Sequence, residues 1–319
     1  MDYLDLLKHN GTFSNPEEWV EYAQQHGFKA VCGTTLKRCP DCQSEGGAVF
    51  GQYIHYSNLI RLIDCDRCGL IYSDVHLPLD VISKHFESAY KDEQYFLEQR
   101  APIFEQIVEL VSAHSKPGAR VIDIGGAKGH LLNAVAKKRA DLSLVLNDLS
   151  VSACDYAKSN FGLSVLPGSI SQLIASKEKY DVILLIDVIY YEPQLGQMWN
   201  VIEHLRAKGG TLIFRVPNHL QIMKWNNLIR TICGDKSKKQ TKVKGFNPEH
   251  IYIFSREYLE NKLRSIGCSN VQTIPSRLLG EGDKGSAKSL LFKSASIVQQ
   301  FIPTGPVITP SMFVIGSGD

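Results

Sequence analysis

The stretch that most limits what this chain can fold into is Val121–Gly129, Val-Ile-Asp-Ile-Gly-Gly-Ala-Lys-Gly. Apolar β-formers around one acid run into a glycine-dense turn. An apolar pattern at helical spacing follows at Leu131, Leu132, Val135 and Ala136. The reading is buried strand, tight loop, helix start. Such a junction brings backbone N–H groups and a helix N-terminus to a ligand. In an open α/β sheet this is the strand end at which ligands bind. A purely structural strand–turn–helix is the competing interpretation of the loop taken alone.

Spacing narrows the ligand. A phosphate-binding Walker loop requires Gly-Lys-Ser/Thr after four spacers, and none follows. The dinucleotide pattern Gly-x-Gly-x-x-Gly fails, because Gly125 is followed at its third and sixth positions by Ala127 and His130. What stands is Asp-x-Gly-x-x-x-Gly, formed by Asp123, Gly125 and Gly129.

Further signals follow in order. Leu142–Leu146 reads as a strand ending at Asn147-Asp148, roughly 20 residues past the loop, where an acid suits ribose hydroxyls. Asp148 also suits a helix N-terminal charge ahead of 152–160. Then come Gly168-Ser169-Ile170, an apolar run from Tyr180 to Ile189 that contains Asp187, Lys208-Gly209-Gly210-Thr211-Leu212-Ile213, and Pro217-Asn218. Together these motifs resemble the class I S-adenosylmethionine (SAM) dependent methyltransferases over residues 117–319. The family usually has a third glycine where Ala127 stands.

That resemblance implies a Rossmann-like α/β core with a seven-stranded, mainly parallel sheet and helices on both faces. It implies SAM as cofactor, with Asp123, Gly125, Gly126, Gly129, Asp148, Leu149, Ser169, Ile170 and Asp187 among its contacts. Asp148 falls at the ribose position, Ser169 and Ile170 near adenine, and Asp187 beside the methionine part. The last strands, near Val271–Ile274 and Met312–Ile315, correspond to the antiparallel hairpin at one sheet edge. Here they are separated by about 35 residues that include a helical pattern at Ala287–Phe301.

Of eight cysteines, four form two Cys-x-x-Cys pairs, Cys39/Cys42 and Cys65/Cys68, with 22 residues between them. Each pair places two thiolates on one side of a knuckle, and two knuckles supply a tetrahedral set for Zn2+. With short strands at Val49–Tyr56, Leu59–Ile63 and 70–72 this looks like a zinc ribbon, whose closed four-cysteine site is structural, the alternatives being a disulfide pair or chance spacing. Cys32, Cys154, Cys233 and Cys268 are scattered and read as small core residues. A ribbon, a helical linker and a class I core together resemble a family of zinc-ribbon methyltransferases from sugar, polysaccharide and natural-product pathways. Cys68-Gly-Leu-Ile-Tyr72 and His250-Ile-Tyr-Ile-Phe-Ser-Arg-Glu-Tyr-Leu259 belong to that match. The expected organisation is a helical segment over 1–35, the ribbon over 36–76, a helical linker over 77–116 and the methyltransferase domain over 117–319.

Composition limits the partner. Lys plus Arg is 35 and Asp plus Glu is 33, so the basic excess of a general nucleic-acid binder is missing. No uncharged apolar stretch reaches the roughly 18 residues of a membrane span, and acids at Asp2 and Asp5 do not suit a signal peptide, so a cytoplasmic protein is expected. The acceptor is expected to be a small molecule or saccharide. An RNA methyltransferase using the ribbon for RNA, and a non-catalytic binding fold, are the alternatives. The first lacks an Asp/Asn-Pro-Pro-Tyr/Phe motif, since Asp187-Val-Ile-Tyr190 stands in its place. The second has to account for intact Asp123, Gly125, Gly129 and Asp148.

A hydroxyl acceptor gains from a general base. His250 and Tyr191 are the candidates, with Tyr190, Glu192 and His219 also on loops at strand ends. Histidine titrates near neutrality, so His250 can take a proton, or it can position its loop by hydrogen bonding. Tyr190 and Tyr191 suit pocket walls as well as a base. Tyr90, Tyr95 and Phe96 could cover a sulfonium or pack in the core. Residues 235–244 hold five lysines and read as a solvated loop or as a lid drawing in an anionic acceptor, such as a nucleotide sugar or phosphorylated glycan.

Overall fold

The computed structural model describes Glu21, Gln25 and residues 33–55, 58–77, 93–232, 246–247, 249–280, 287–301 and 305–318. Apart from Glu21 and Gln25, the expected helical segment up to residue 32, with Tyr90, the side chains of Tyr95 and Phe96, Cys32, Cys233 and the lysine run at 235–244, lies outside the described residues. The chain divides into two compact units. The first groups Met1–Lys91 with Ile222–Ile253, and the second groups Asp92–Gln221 with Phe254–Asp319.

In the first unit, β1 (Thr34–Thr35) pairs antiparallel with β5 (Val75–His76). Between them β2 (Ala48–His55), β3 (Asn58–Asp64) and β4 (Ile71–Ser73) form an antiparallel meander, with a register shift between Val49 and Gly51. Among the described residues its buried apolar side chains include Ile60, Leu62, Leu70, Ile71, Tyr72 and Val75. A small antiparallel sheet of this kind stabilises little by itself.

The second unit begins with α1 (Glu93–His114), whose Ile103, Ile107 and Val111 are fully buried at helical spacing. The chain then alternates strand and helix: β6 (Arg120–Ile124), α2 (His130–Lys138), β7 (Ser143–Asp148), α3 (Val151–Phe161) and β8 (Ser164–Pro167). A 3-10 turn at Ile170–Ala175 leads to β9 (Tyr180–Ile186), a second at Ile189–Tyr191 to α4 (Leu195–Leu205), and β10 (Arg206–Pro217) follows. Helix α5 (His219–Ile232) starts in this unit and continues into the first. There β11 (Tyr252–Ile253) adds antiparallel to β4. Back in the second unit come α6 (Arg256–Ser265), β12 (Asn270–Pro275), α7 (Ala287–Phe301) and β13 (Ser311–Ser317).

The seven strands of the second unit lie in the order β12-β13-β10-β9-β6-β7-β8. β8, β7, β6, β9 and β10 are parallel, whereas β13 runs antiparallel between β10 and β12. The α/β architecture with its mostly parallel seven-stranded sheet therefore matches the expectation. Its strands are near-continuous apolar runs because both faces are covered. Val182, Ile183, Leu184, Leu185, Leu212, Ile213 and Phe214 are all fully buried. The sheet order reverses at β6, which has β7 on one side and β9 on the other. That switch point is where open α/β sheets bind ligands.

One placement was not foreseen. The sequence reading groups residues 222–253 with the glycine loop, but they pack with the first unit. Ser73 N–H donates to Ile251 O at 2.8 Å, beside the β11–β4 pairing. The His250 segment thus extends the β2–β4 sheet, two strands of which lie between the cysteine pairs. Among the described residues no helix is long and apolar enough to cross a membrane.

Candidate active site and thiol cluster

The glycine loop is the turn between β6 and α2. Gly125 has φ 73°, and a Cβ there would lie 2.4 Å from Val188 Cγ2, so both backbone and space require glycine. Its N–H donates to Asn147 O at 2.8 Å, and that of Gly126 to the same oxygen at 3.2 Å. Gly129, at φ 78°, stands at the N-cap of α2. Ala127 has φ 49°, a left-handed conformation that costs an L-residue roughly 1–2 kcal/mol. The missing third glycine is therefore a tolerated strain.

Asp148 explains part of that tolerance. Its Oδ2 accepts from Ala127 N–H and its Oδ1 from Ser150 N–H, both at 2.8 Å. It thus ties the turn after β7 to the glycine loop. Burial raises its pKa against the pull of those two N–H bonds. Asn147, 3% exposed, is the hub that sequence reasoning missed. Its carbonyl holds Gly125 and Gly126, while its amide donates to Leu166 O at 2.7 Å and Gly168 O at 3.0 Å. One side chain thereby fixes the loop carrying Ser169 and Ile170 relative to the glycine turn. Its only sequence signal is an amide at a strand end. Ile170 is buried, Ser169 is half-buried with Oγ 2.9 Å from Ser171 Oγ, and Leu149 is 49% exposed.

Asp123 is 1% exposed, and neither carboxyl oxygen has a partner among the described residues. Burial, and then the charge of Asp148, pushes its pKa up to about 8. The folded protein therefore binds this proton more tightly than the unfolded chain does. Stability from this site falls as pH rises from about 4 to about 8, by up to about 1.4 kcal/mol per unit, and levels off above that. Asp123→Asn is expected to flatten that slope in the ligand-free protein, measured as thermal midpoints at pH 5 and pH 8. Equal slopes in the variant and the parent protein would refute the assignment.

Asp187 follows β9 with φ 57° and a side chain 7% exposed. Its Oδ2 accepts from Arg100 Nη1 of α1 at 2.8 Å and from Arg215 Nη1 of β10. Burial disfavours its charge, but Arg215 and Arg100 outweigh that and hold the carboxyl below its ordinary value. Arg215 Nε also donates to Ser276 Oγ at 2.9 Å. Both arginines escaped the sequence reading. The available signal was Arg215 itself, one charge inside the apolar run Leu212–Val216.

Tyr190 and Tyr191 form a tilted ring pair with centroids 4.6 Å apart. Burial, then Asp187, raises Tyr190 well above its ordinary value and keeps it a neutral phenol. Tyr191 is half-buried. Burial lowers His219 to about 3, so that ring is neutral near pH 7. His250 is 6% exposed in the first unit, with its ring edge-on to Phe246 at 6.4 Å and its N–H bonded to Asn247 O at 3.0 Å.

A family described as "Methyltransferase domain" has a model that matches residues 96–273, more than half the chain. The chain belongs to this family. It is a SAM-dependent methyltransferase. No curated protein matches it. Solved structures similar to it include one from Nostoc punctiforme PCC 73102 assigned as an O-methyltransferase, at 17% identity over 69% of this chain and 56% of that one, TM-score 0.45. A SAM-dependent methyltransferase from Thermotoga maritima is 16% identical over 75% and 99%, TM-score 0.47. The N-methyltransferase NodS from Bradyrhizobium japonicum WM9, solved with S-adenosylhomocysteine, is 13% identical over 72% and 90%, TM-score 0.44. The domain match alone carries the assignment.

The structure also brings the four predicted thiols together. The Sγ atoms of Cys39, Cys42, Cys65 and Cys68 all lie within 4.8 Å of one another. Cys39–Cys68 is 3.6 Å and Cys42–Cys65 is 3.5 Å. A tetrahedral Zn–S site with bonds near 2.3 Å has edges of about 3.8 Å, so the donor set fits that ion. Cys154 and Cys268, also described, are buried singly, as expected of core residues.

Proposed function

We propose that this methyltransferase acts on a small-molecule or saccharide acceptor, and that Cys39, Cys42, Cys65 and Cys68 hold a structural zinc ion. The observation that carries the donor side is the convergence of the glycine loop, Asp148 and Asp187 at the carboxyl ends of the neighbouring strands β6, β7 and β9. In this reading Asp148 holds ribose hydroxyls, with Leu149, Ser169 and Ile170 around adenine. Asp123, Gly125, Gly126, Gly129 and Asp187 serve the remainder of the donor. Both Asp123 oxygens and Asp187 Oδ1, which have no partner among the described residues, support the fit, because buried acceptors of this kind suit a donor-rich ligand or its waters. SAM, when bound, supplies a methyl group on a sulfonium that is its own leaving group.

The protein then has to align the acceptor and exclude water, and alignment alone is worth roughly 7–11 kcal/mol. Tyr191 is proposed to wall the acceptor region or to take its proton; for His250 the proposal is a general base or a loop-positioning hydrogen bond. With a hydroxyl acceptor, removing a base costs about 10²–10⁴ in rate. The acceptor is proposed to be anionic, such as a nucleotide sugar or phosphorylated glycan, on the strength of the lysines at 235–244. The domain boundaries at 35, 76 and 116 and a cytoplasmic location belong to the same proposal.

Calorimetric titration with S-adenosylhomocysteine tests the donor site. Micromolar binding by the parent protein is expected, weakened at least tenfold by Asp148→Ala. Binding that Asp148→Ala leaves unchanged would move the ribose contact elsewhere.

A further inference from the structure

Two buried carboxyl groups stand close together at the glycine turn, and no cation among the described residues pairs with either. Asp123, near the end of β6, has no partner for either oxygen among the described residues. A Cβ placed on Gly126 would lie 2.6 Å from its Oδ2, so the carboxyl sits directly beneath the turn. In the sheet it is flanked in register by Leu146 of β7 and Leu184 of β9, both fully buried. Asp148 of β7 is the charged group that acts on it. The other titratable groups of the surrounding elements are engaged elsewhere. Lys128 lies over the Tyr156 ring at 4.9 Å, His130 packs against Tyr156 and Phe161, and Asp187 is bonded to Arg100 and Arg215.

The backbone treats the two carboxyls differently. Asp148 accepts from Ala127 N–H and Ser150 N–H, which favours its charged form. Asp123 accepts from neither turn nor helix and faces that charge. Burial and like charge both favour its neutral form. Near pH 7 the pair therefore carries one proton, and Asp123 holds it. A neutral acid that a change of nearby charge can ionise is a proton-linked element, poised under the loop that faces the ligand.

Resting on the donor site proposed above, we infer that donor binding releases the proton held by Asp123. SAM brings a sulfonium and an ammonium against one carboxylate. Positive charge above the glycine turn favours the ionised form of the acid beneath it, through space and without direct contact. The balance is one SAM bound and one proton passed from the Asp123 carboxyl to solvent. Methyl transfer then turns the sulfonium into a thioether, and Asp123 regains its proton beneath net-neutral S-adenosylhomocysteine. The carboxyl pair thereby favours the charged donor over the product, and does so more strongly as pH rises toward the range in which Asp123 ionises unaided.

Titration calorimetry without acceptor, at pH 7 in phosphate and in Tris, reads the released protons from the difference in heat between buffers. About one proton per SAM is expected, and a smaller release with S-adenosylhomocysteine, which lacks the sulfonium. The dissociation constant for SAM should fall by up to about tenfold per pH unit from pH 6 to pH 8 and level off above, where Asp123 is already ionised. Asp123→Asn, with its fold checked by thermal midpoint, should bind with the same heat in both buffers. Buffer-independent heats in the parent protein overturn the inference, as does equal release with the two ligands or undiminished release in folded Asp123→Asn. A dissociation constant that ignores pH in the parent protein overturns it without any variant. A parent protein that binds neither ligand overturns the donor site itself, and the inference falls with it.

Discussion

Stripping the proposed zinc ion, or replacing Cys39 and Cys42 together by serine, is expected to unfold the β2–β4 sheet while leaving the β6–β10 core folded. Among the described residues, the β2–β4 sheet and its β11 partner bury a small set of apolar side chains around Leu62, Leu70 and Tyr252. Zinc bound by four thiolates is worth on the order of 10–16 kcal/mol in small zinc-dependent domains, as much as the whole stability of an ordinary domain. The second unit has its own apolar core, built on Val121, Leu132, Leu184 and Ile213, and does not need the ion. Elemental analysis should find about one zinc per chain, consistent with a single closed four-thiolate site. Amide hydrogen exchange after chelation should lose protection over 58–73 and keep it over 180–186. Undiminished protection at 58–73 would show that the four thiols are close for some other reason. The cysteine pair is the sharper variant, because one remaining knuckle cannot complete a tetrahedron.

Asp187→Asn is expected to destabilise the second unit by about 3–5 kcal/mol, because it removes the carboxylate charge that Arg100 and buried Arg215 share. Asparagine is the informative replacement. It tolerates the left-handed backbone that Asp187 adopts at φ 57°, so the loss reports charge and not backbone strain. Urea midpoints should show the full loss for Asp187→Asn and a smaller one for Arg215→Met, which leaves Arg100 to neutralise Asp187. The sign with pH is definite. The folded carboxyl lies below its ordinary value, so its contribution is present above that value and lost as pH falls through the depressed one. Asp187→Asn should lack that acid-side loss. A variant as stable as the parent at pH 7 would mean that the arginines find other anions.

Much of the sheet was legible because its signals are local. The β6–loop–α2 junction, the acid closing β7, the apolar β9 and the Gly-Gly turn in β10 each declare themselves within about ten residues. The helix at Ala287–Phe301 and the antiparallel β12–β13 edge were legible for the same reason. The charge cluster was not. Arg100 meets Asp187 across 87 positions and Arg215 meets it across 28, and no periodicity encodes such pairings. The pairing of β11 with β4 was equally hidden, since two residues of a late segment become a strand only when a sheet edge is offered to them.

The sequence by itself determined the order of the strands and loops around the glycine turn and the spacing of the two thiol pairs. Turn chemistry, strand period and ligand spacing act between near neighbours, so they are written into short stretches of chain. Only the tertiary structure decided that Asn147 joins the glycine turn to the loop at Gly168, that Arg100 and Arg215 converge on Asp187, and that the His250 segment joins the sheet beside the thiols. These are contacts between distant residues, chosen by which buried charges and backbone groups have to find partners once the core has closed.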